Sequence, residues 1–123
     1  LIGALPGDVE RAWAEPAAAG RVLLRWLYAA TYEGAPPSEF RIYHDSGTGQ
    51  IDYAQPAATV AWDLRRRVYR WLSGTYFHGT RNRFVVRAAN AAGEGGGAQA
   101  AAVVPGPLQA RAAFMIVEVT HGS

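Results

Sequence analysis

Hydrophobic and polar residues alternate along most of this chain, and the alternation is clearest over residues 81–95. There Phe84, Val86 and Ala88 fall on one side, and Arg83, Val85 and Arg87 on the other. A period of two marks a strand with one buried face. The same pattern predicts strands over residues 9–14, 21–28, 40–44, 67–72 and 98–104, with shorter extended pieces at 51–53 and 58–62. In the second of these Val22, Leu24 and Trp26 share a face; in the third Phe40 and Ile42 point inward while Arg41 and Tyr43 point outward. In residues 67–72, Tyr69 and Trp71 share one face, and Val68, Arg70 and Leu72 the other.

Turn-forming residues punctuate these runs: Pro6-Gly7, Glu15-Pro16, Gly34 with Pro36 and Pro37, Asp45 through Gly49, and Ser73-Gly74. Glycine supplies positive φ, and proline cannot extend a sheet ladder. The alanine-rich stretch 16–20 is expected to turn, and no longer segment carries a helical stripe. The expectation is an all-β, immunoglobulin-like Greek-key β-sandwich of about seven strands, with an extra C-terminal strand. A closed barrel fits less well, because the connections differ in length.

Composition narrows the picture. The chain has 123 residues, half of them hydrophobic, enough for one core and too apolar for a disordered segment. Cysteine is absent, which excludes disulfide staples and thiolate metal sites. The formal net charge of +2 argues against nucleic acid as a partner. No apolar run is long enough to span a bilayer. The chain opens on Leu1 rather than Met, as a processed product or an excised domain would.

Two stretches resemble fibronectin type III domains. Leu24-Arg25-Trp26 is similar to the second strand, whose buried Trp anchors the core of that family. Gly79-Thr80 with Phe84, Val86, Arg87, Ala88, Asn90, Gly93 and Gly95 resembles the sixth strand and the loop after it. Residues 42–60 resemble a bacterial variant with a long third-strand hairpin. The resemblance covers roughly residues 6–105 and implies a non-catalytic structural or binding role. It departs at Asn82, where the family carries the Tyr of its tyrosine corner, so that hydrogen bond is not expected here. There is no Arg-Gly-Asp for integrin-type adhesion.

Few residues suggest chemistry. His44, Asp45 and Asp52 could approach one another, but their spacing matches no metal site, and Asp favours turns anyway. There is no cysteine nucleophile, Gly-x-Ser-x-Gly elbow or paired carboxylate motif, so the chain is not expected to be an enzyme, and no cofactor is expected. Glu94 stands alone among glycines. A phosphate cradle there would need a helix after Gly97, whereas Ala-Gln-Ala-Ala-Ala-Val-Val reads as a strand, so residues 93–97 are expected to be a flexible connector. Arg65, Arg66, Arg67 and Arg70 form the densest basic cluster, a candidate polyanion contact against the plainer reading of a solvated loop and strand. Trp13, Trp62 and Trp71 with six tyrosines exceed what a small core needs, which suggests exposed aromatics for polysaccharide stacking or a protein interface.

The least family-like part is the tail. Phe114 and Ile116 alternate with Met115, Val117 and Val119, so a strand there would be apolar on both faces. Such a strand needs cover on both sides. Residues 104–112 also resemble residues 5–12, each with an apolar-Pro-Gly opening and an Arg-Ala ending. The expected organisation is a leader at 1–5, the domain at 6–105, and a linker with an extra strand at 106–123. Phe114, Met115, Ile116, Val117 and Val119, with Leu1 and Ile2, are the candidate interface residues. The leading expectation is a structural subunit of an extracellular or virion assembly, partnered by its own copies or other structural proteins. The alternative is a carbohydrate- or protein-binding accessory module of a larger secreted protein.

Overall fold

A computed structural model describes residues 4–29, 35–74 and 81–103. Among them seven strands follow one another: β1 (Arg11–Ala17), β2 (Arg21–Leu27), β3 (Glu39–His44), β4 (Ala58–Ala61), β5 (Val68–Leu72), β6 (Arg81–Asn90) and β7 (Gly93–Val103). They form a three-stranded sheet in the order β1-β2-β5 and a four-stranded sheet in the order β4-β3-β6-β7. Every pairing is antiparallel. The chain changes sheets after β2, β4 and β5, which makes the architecture an immunoglobulin-like Greek-key sandwich. The expected C-terminal strand, with Phe114 through Val119, lies outside the described residues, as do Leu1 and Ile2.

Alternation does the work of placing the core. Val22, Leu24 and Trp26 from β2 meet Phe40 and Ile42 from β3, Tyr69 from β5, and Phe84, Val86 and Ala88 from β6. Trp26 stacks on Tyr69 with ring centroids 5.8 Å apart, and Phe40 lies 4.6 Å from Tyr69. Each large apolar side chain buried here contributes about 1.5–3 kcal/mol. Tyr69 also keeps its polar end satisfied. Its hydroxyl donates to the carbonyl of Asp63 and accepts from the amide of Asp63, tying the β4–β5 loop to the core. Burial raises the Tyr69 phenol above its ordinary pKa.

β1 starts later than the pattern predicts and runs through Pro16. As an edge strand it tolerates a missing N–H. Opposite Pro16, Val22 turns its backbone the other way: its amide donates to the Ser73 hydroxyl and its carbonyl accepts from the Ser73 amide. Ala18–Gly20 then form a 3₁₀ turn in which Ala19 takes φ 63°. Residues 51–53 form no strand, although the Asp52 amide returns to the His44 carbonyl. In the turn after β3, Ser46 and Gly47 both have positive φ, the signature of a tight hairpin turn.

The glycine-rich stretch is the largest departure from expectation. Residues 93–97 are the first part of β7 and not a flexible connector. Their lack of side chains is used by the N-terminal segment, which passes directly over them. A Cβ on Gly95 would stand 2.4 Å from the Pro6 carbonyl oxygen, and one on Gly96 would stand 2.6 Å from the Asp8 carboxylate. The Asp8 carboxylate accepts from the Gly96 amide, and the Val9 amide donates to the Gly96 carbonyl. One residue later the Glu10 amide donates to Leu27 in the other sheet. The segment therefore bridges the two sheets and buries Val9.

Candidate binding surfaces

A sandwich offers two outer faces, and here they differ. On the four-stranded sheet, Arg41 of β3 sits directly opposite Arg87 of β6. Like charges in such positions destabilise a sheet unless something neutralises them. Glu94 does so: its carboxylate accepts from Arg41 Nη1 at 3.1 Å and from Arg87 Nη1 at 3.2 Å. The Tyr43 hydroxyl donates to the same carboxylate. Glu39 takes the Nε of Arg41 at 2.8 Å. The Arg87 guanidinium lies over the Tyr53 ring at 4.3 Å, and Tyr53 packs beside Tyr43.

This network corrects two expectations. Glu94 is not alone, and Tyr43, although on the outward side of β3, is buried beneath its polar neighbours. Burial by itself would raise the Glu94 carboxyl, but hydrogen bonds from Tyr43, Arg41 and Arg87 outweigh it and hold the group below the usual carboxylate range. Burial, reinforced by the bond to Glu94, raises the Tyr43 phenol. The hydrogen bonds to Glu39 and Glu94 raise Arg41 still further above its ordinary value. The signal in the sequence was the parity of Arg41, Tyr43 and Arg87; what was missing was the register that places Glu94 beside them.

The outer face of the three-stranded sheet repeats the arrangement without completing it. Arg25 of β2 sits opposite Arg70 of β5, with Trp13 of β1 on the other side of Arg25. Glu15 holds Arg25 at 2.7 Å. Among the described residues Arg70 forms no ion pair. Above and below this central row lie apolar rows, Leu27 with Val68 and Leu23 with Leu72. Val68 is 53% exposed, Leu72 47% and Trp13 40%. Trp13, Leu23 and Val68 line a depression of about 350 Å³ together with Ala14, Glu15 and Arg25. Arg11 covers one side of the Trp13 ring at 4.9 Å.

The groups at the β3–β4 turn do not form a metal centre. Asp45 is buried, and its carboxylate accepts from the amides of Gly47, Gly49 and Arg83. Burial alone would raise its pKa; these three N–H donors hold it below the usual range. Asp52 caps the amide of Ala54 instead of facing Asp45. No group of three metal-capable side chains occurs among the described residues. His44 lies on the inward side of β3, stacked on Phe84 at 4.7 Å, with its Nε2 at 3.1 Å from Asn82 Oδ1.

The fold is similar to that of solved structures. The sixth fibronectin type III domain of a human fibronectin type III domain-containing protein superposes with a TM-score of 0.58 at 19% identity, over 83% of this chain and 91% of that one. The FN5 domain of Drosophila Lar gives 0.54 at 20% identity, over 83% and 99%. The FN1–FN3 domains of chicken CNTN1 give 0.56 at 14% identity, over 84% of this chain and 36% of the three-domain chain. The chain has the fibronectin type III fold. By sequence, no family model and no curated protein matches it.

Within the fibronectin type III fold, the departure at Asn82 acquires a physical explanation. Asn82 occupies the inward position that the family gives to tyrosine, and it is only 1% exposed. Its side-chain oxygen lies 3.1 Å from His44 Nε2. The aromatic surplus also finds its place. Trp26, Tyr28 and Tyr69 are core, Trp62 and Trp71 pack against it, and Tyr43 is covered. Trp13 and Tyr53 are the large aromatics left exposed among the described residues; Trp13 is on β1 of the three-stranded sheet, and Tyr53 packs over Tyr43 and Arg87 of the four-stranded one. They form no continuous stacking platform. Of the basic cluster, Arg65, Arg66 and Arg67 lie in the β4–β5 loop, where Arg66 rests over the Tyr69 ring at 5.4 Å. Arg70 stands apart from them on the strand face beside Arg25.

Proposed function

We propose that this chain is a non-catalytic structural subunit that associates with its own copies in an extracellular or virion assembly, its tail making contacts between subunits. The observation that carries this reading is the segment 112–120, whose alternating faces present Phe114 and Ile116 on one side and Met115, Val117 and Val119 on the other. One side of such a strand can be covered by its own domain, but the second needs another surface. The two acids with lowered pKa values are committed, Asp45 to three backbone amides and Glu94 to Tyr43, Arg41 and Arg87. No helix among the described residues is long and apolar enough to cross a membrane.

The test is the molar mass of the full chain in solution, with and without residues 112–123. The proposal expects assembly that rises with concentration for the full chain and a monomer for the truncated one, with the same β-sheet circular dichroism. A full chain that stays monomeric at high concentration contradicts it. The accessory-module reading, with polysaccharide as ligand, draws less support, because Trp13 and Tyr53 lie on opposite faces.

A further inference from the structure

We infer that the outer face of the β1-β2-β5 sheet is the seat on which a second copy of this chain places its segment 112–120. The inference rests on the self-association proposed above and names the surface that would accept the tail. Three observations converge on it. The first is shape and polarity: two apolar rows, Leu27 with Val68 and Leu23 with Leu72, flank a central row of Trp13, Arg25 and Arg70. An exposed face of that kind on a strand sandwich marks an interaction surface when something complementary exists to cover it.

The second is charge. The opposed pair Arg25 and Arg70 has one acid, Glu15, which holds Arg25. The equivalent pair on the other sheet, Arg41 and Arg87, has Glu94 bonded to both and Glu39 bonded to Arg41. Among the described residues the three-stranded face is therefore short of a carboxylate at Arg70. Among the twenty residues after Val103 there is a single acid, Glu118. As a strand, the segment would carry Phe114, Ile116 and Glu118 on one side, an apolar-apolar-acidic order. Laid along β5, Glu118 would meet Arg70, Ile116 would cover the adjoining apolar row and Phe114 would reach past it to the rim of the face.

The third is the other side of the tail. Met115, Val117 and Val119 would still face outward if the segment lay on its own domain's sheet. The four-stranded face, with its ion pairs closed over Tyr43, has no comparable apolar row to offer them. Reciprocal docking between two copies brings two tails and two acceptor faces together and gives both sides of each tail a partner. Strands packed face to face interdigitate their side chains across the layer between them.

The experiment uses the full chain in sedimentation equilibrium, with four variants: Val68→Lys with Leu72→Lys, Glu118→Arg, Arg70→Glu, and Glu118→Arg combined with Arg70→Glu. The first pair changes exposed positions, so folding should persist, and self-association should weaken by at least about tenfold. Each single charge reversal should weaken it, and the combined reversal should restore most of the loss. Restoration is the outcome that a merely structural role for these residues would not give. If deletion of residues 112–123 abolishes association while the lysine pair and the charge exchange leave it unchanged, the tail reading stands and this face is the wrong seat. If the deletion leaves association unchanged, the proposed function and this inference both fall. If the full chain is a monomer and deletion exposes Trp13 to quenching by iodide, the tail covers its own domain, and this inference is overturned.

Discussion

Among the described residues two arginines stand opposite each other on each sheet, and one of the two pairs shares an acid. Arg41 and Arg87 share Glu94, with Tyr43 and Tyr53 filling the space around them. Arg25 and Arg70 have the same geometry, but Glu15 reaches only Arg25, and the neighbours are exposed Val68, Leu72 and Trp13. The first face is closed by the domain's own residues. The second is a surface with apolar rows and, among the described residues, no acid on Arg70. The contrast separates a face closed by its own residues from the face proposed above to receive a second copy.

The largest expected effect comes from opening the closed face. Glu94→Ala leaves the Tyr43 hydroxyl and two partly buried guanidinium groups without their shared acceptor. It should cost about 2–3 kcal/mol in urea denaturation. Val68→Lys, made on the other face at an exposed position, should cost no more than about 0.5 kcal/mol. Equal costs would erase the distinction between the faces.

Gly95→Ala should come next, at about 1–3 kcal/mol, because its methyl would collide with the Pro6 carbonyl and lift the segment that buries Val9. Faster amide exchange at Val9 and Gly96 would localise the damage.

The pH dependence follows the same geography. Asp45 and Glu94 have lowered folded-state values, so their contribution is complete above the unfolded carboxylate value near ~4 and is lost as pH falls through the folded values. Tyr43 and Tyr69 have raised values, so their contribution holds below ~10 and is lost as pH rises beyond it. The urea midpoint should therefore be level between these limits and fall on both sides. Glu94→Gln should flatten the acid limb, and an acid limb unchanged by it would show that Glu94 does not carry the linkage.

The smallest effect is a gain. Ala19 holds φ 63° in the β1–β2 turn, and Ala19→Gly should stabilise the domain by up to about 1 kcal/mol in the same assay.

Much of this was legible in the chain. The period of two in β2, β3 and β6 identified Val22, Leu24, Trp26, Phe40, Ile42, Phe84 and Val86 as core, because side-chain direction in a strand is a local property. What could not be read was anything that depends on register or on a segment crossing from elsewhere. Glu94 looked solitary because its partners are 51 and 53 residues away on β3 and seven away on β6. Residues 93–97 looked like a loop because the reason for their glycines, the passage of Pro6 to Asp8, lies at the other end of the chain. Asn82 looked like a lost tyrosine because His44 was read as a possible ligand and not as its neighbour. Pro16 suggested the end of a strand because an edge position cannot be recognised locally.

The difference between the two faces can be measured directly by recording amide proton–nitrogen spectra of the full chain over a dilution series. The account predicts that the resonances that move with concentration belong to Leu23, Arg25, Val68, Arg70 and Leu72, while those of Arg41, Tyr43, Arg87 and Glu94 stay in place. Shifts confined to the second group, or none at any concentration, would contradict it.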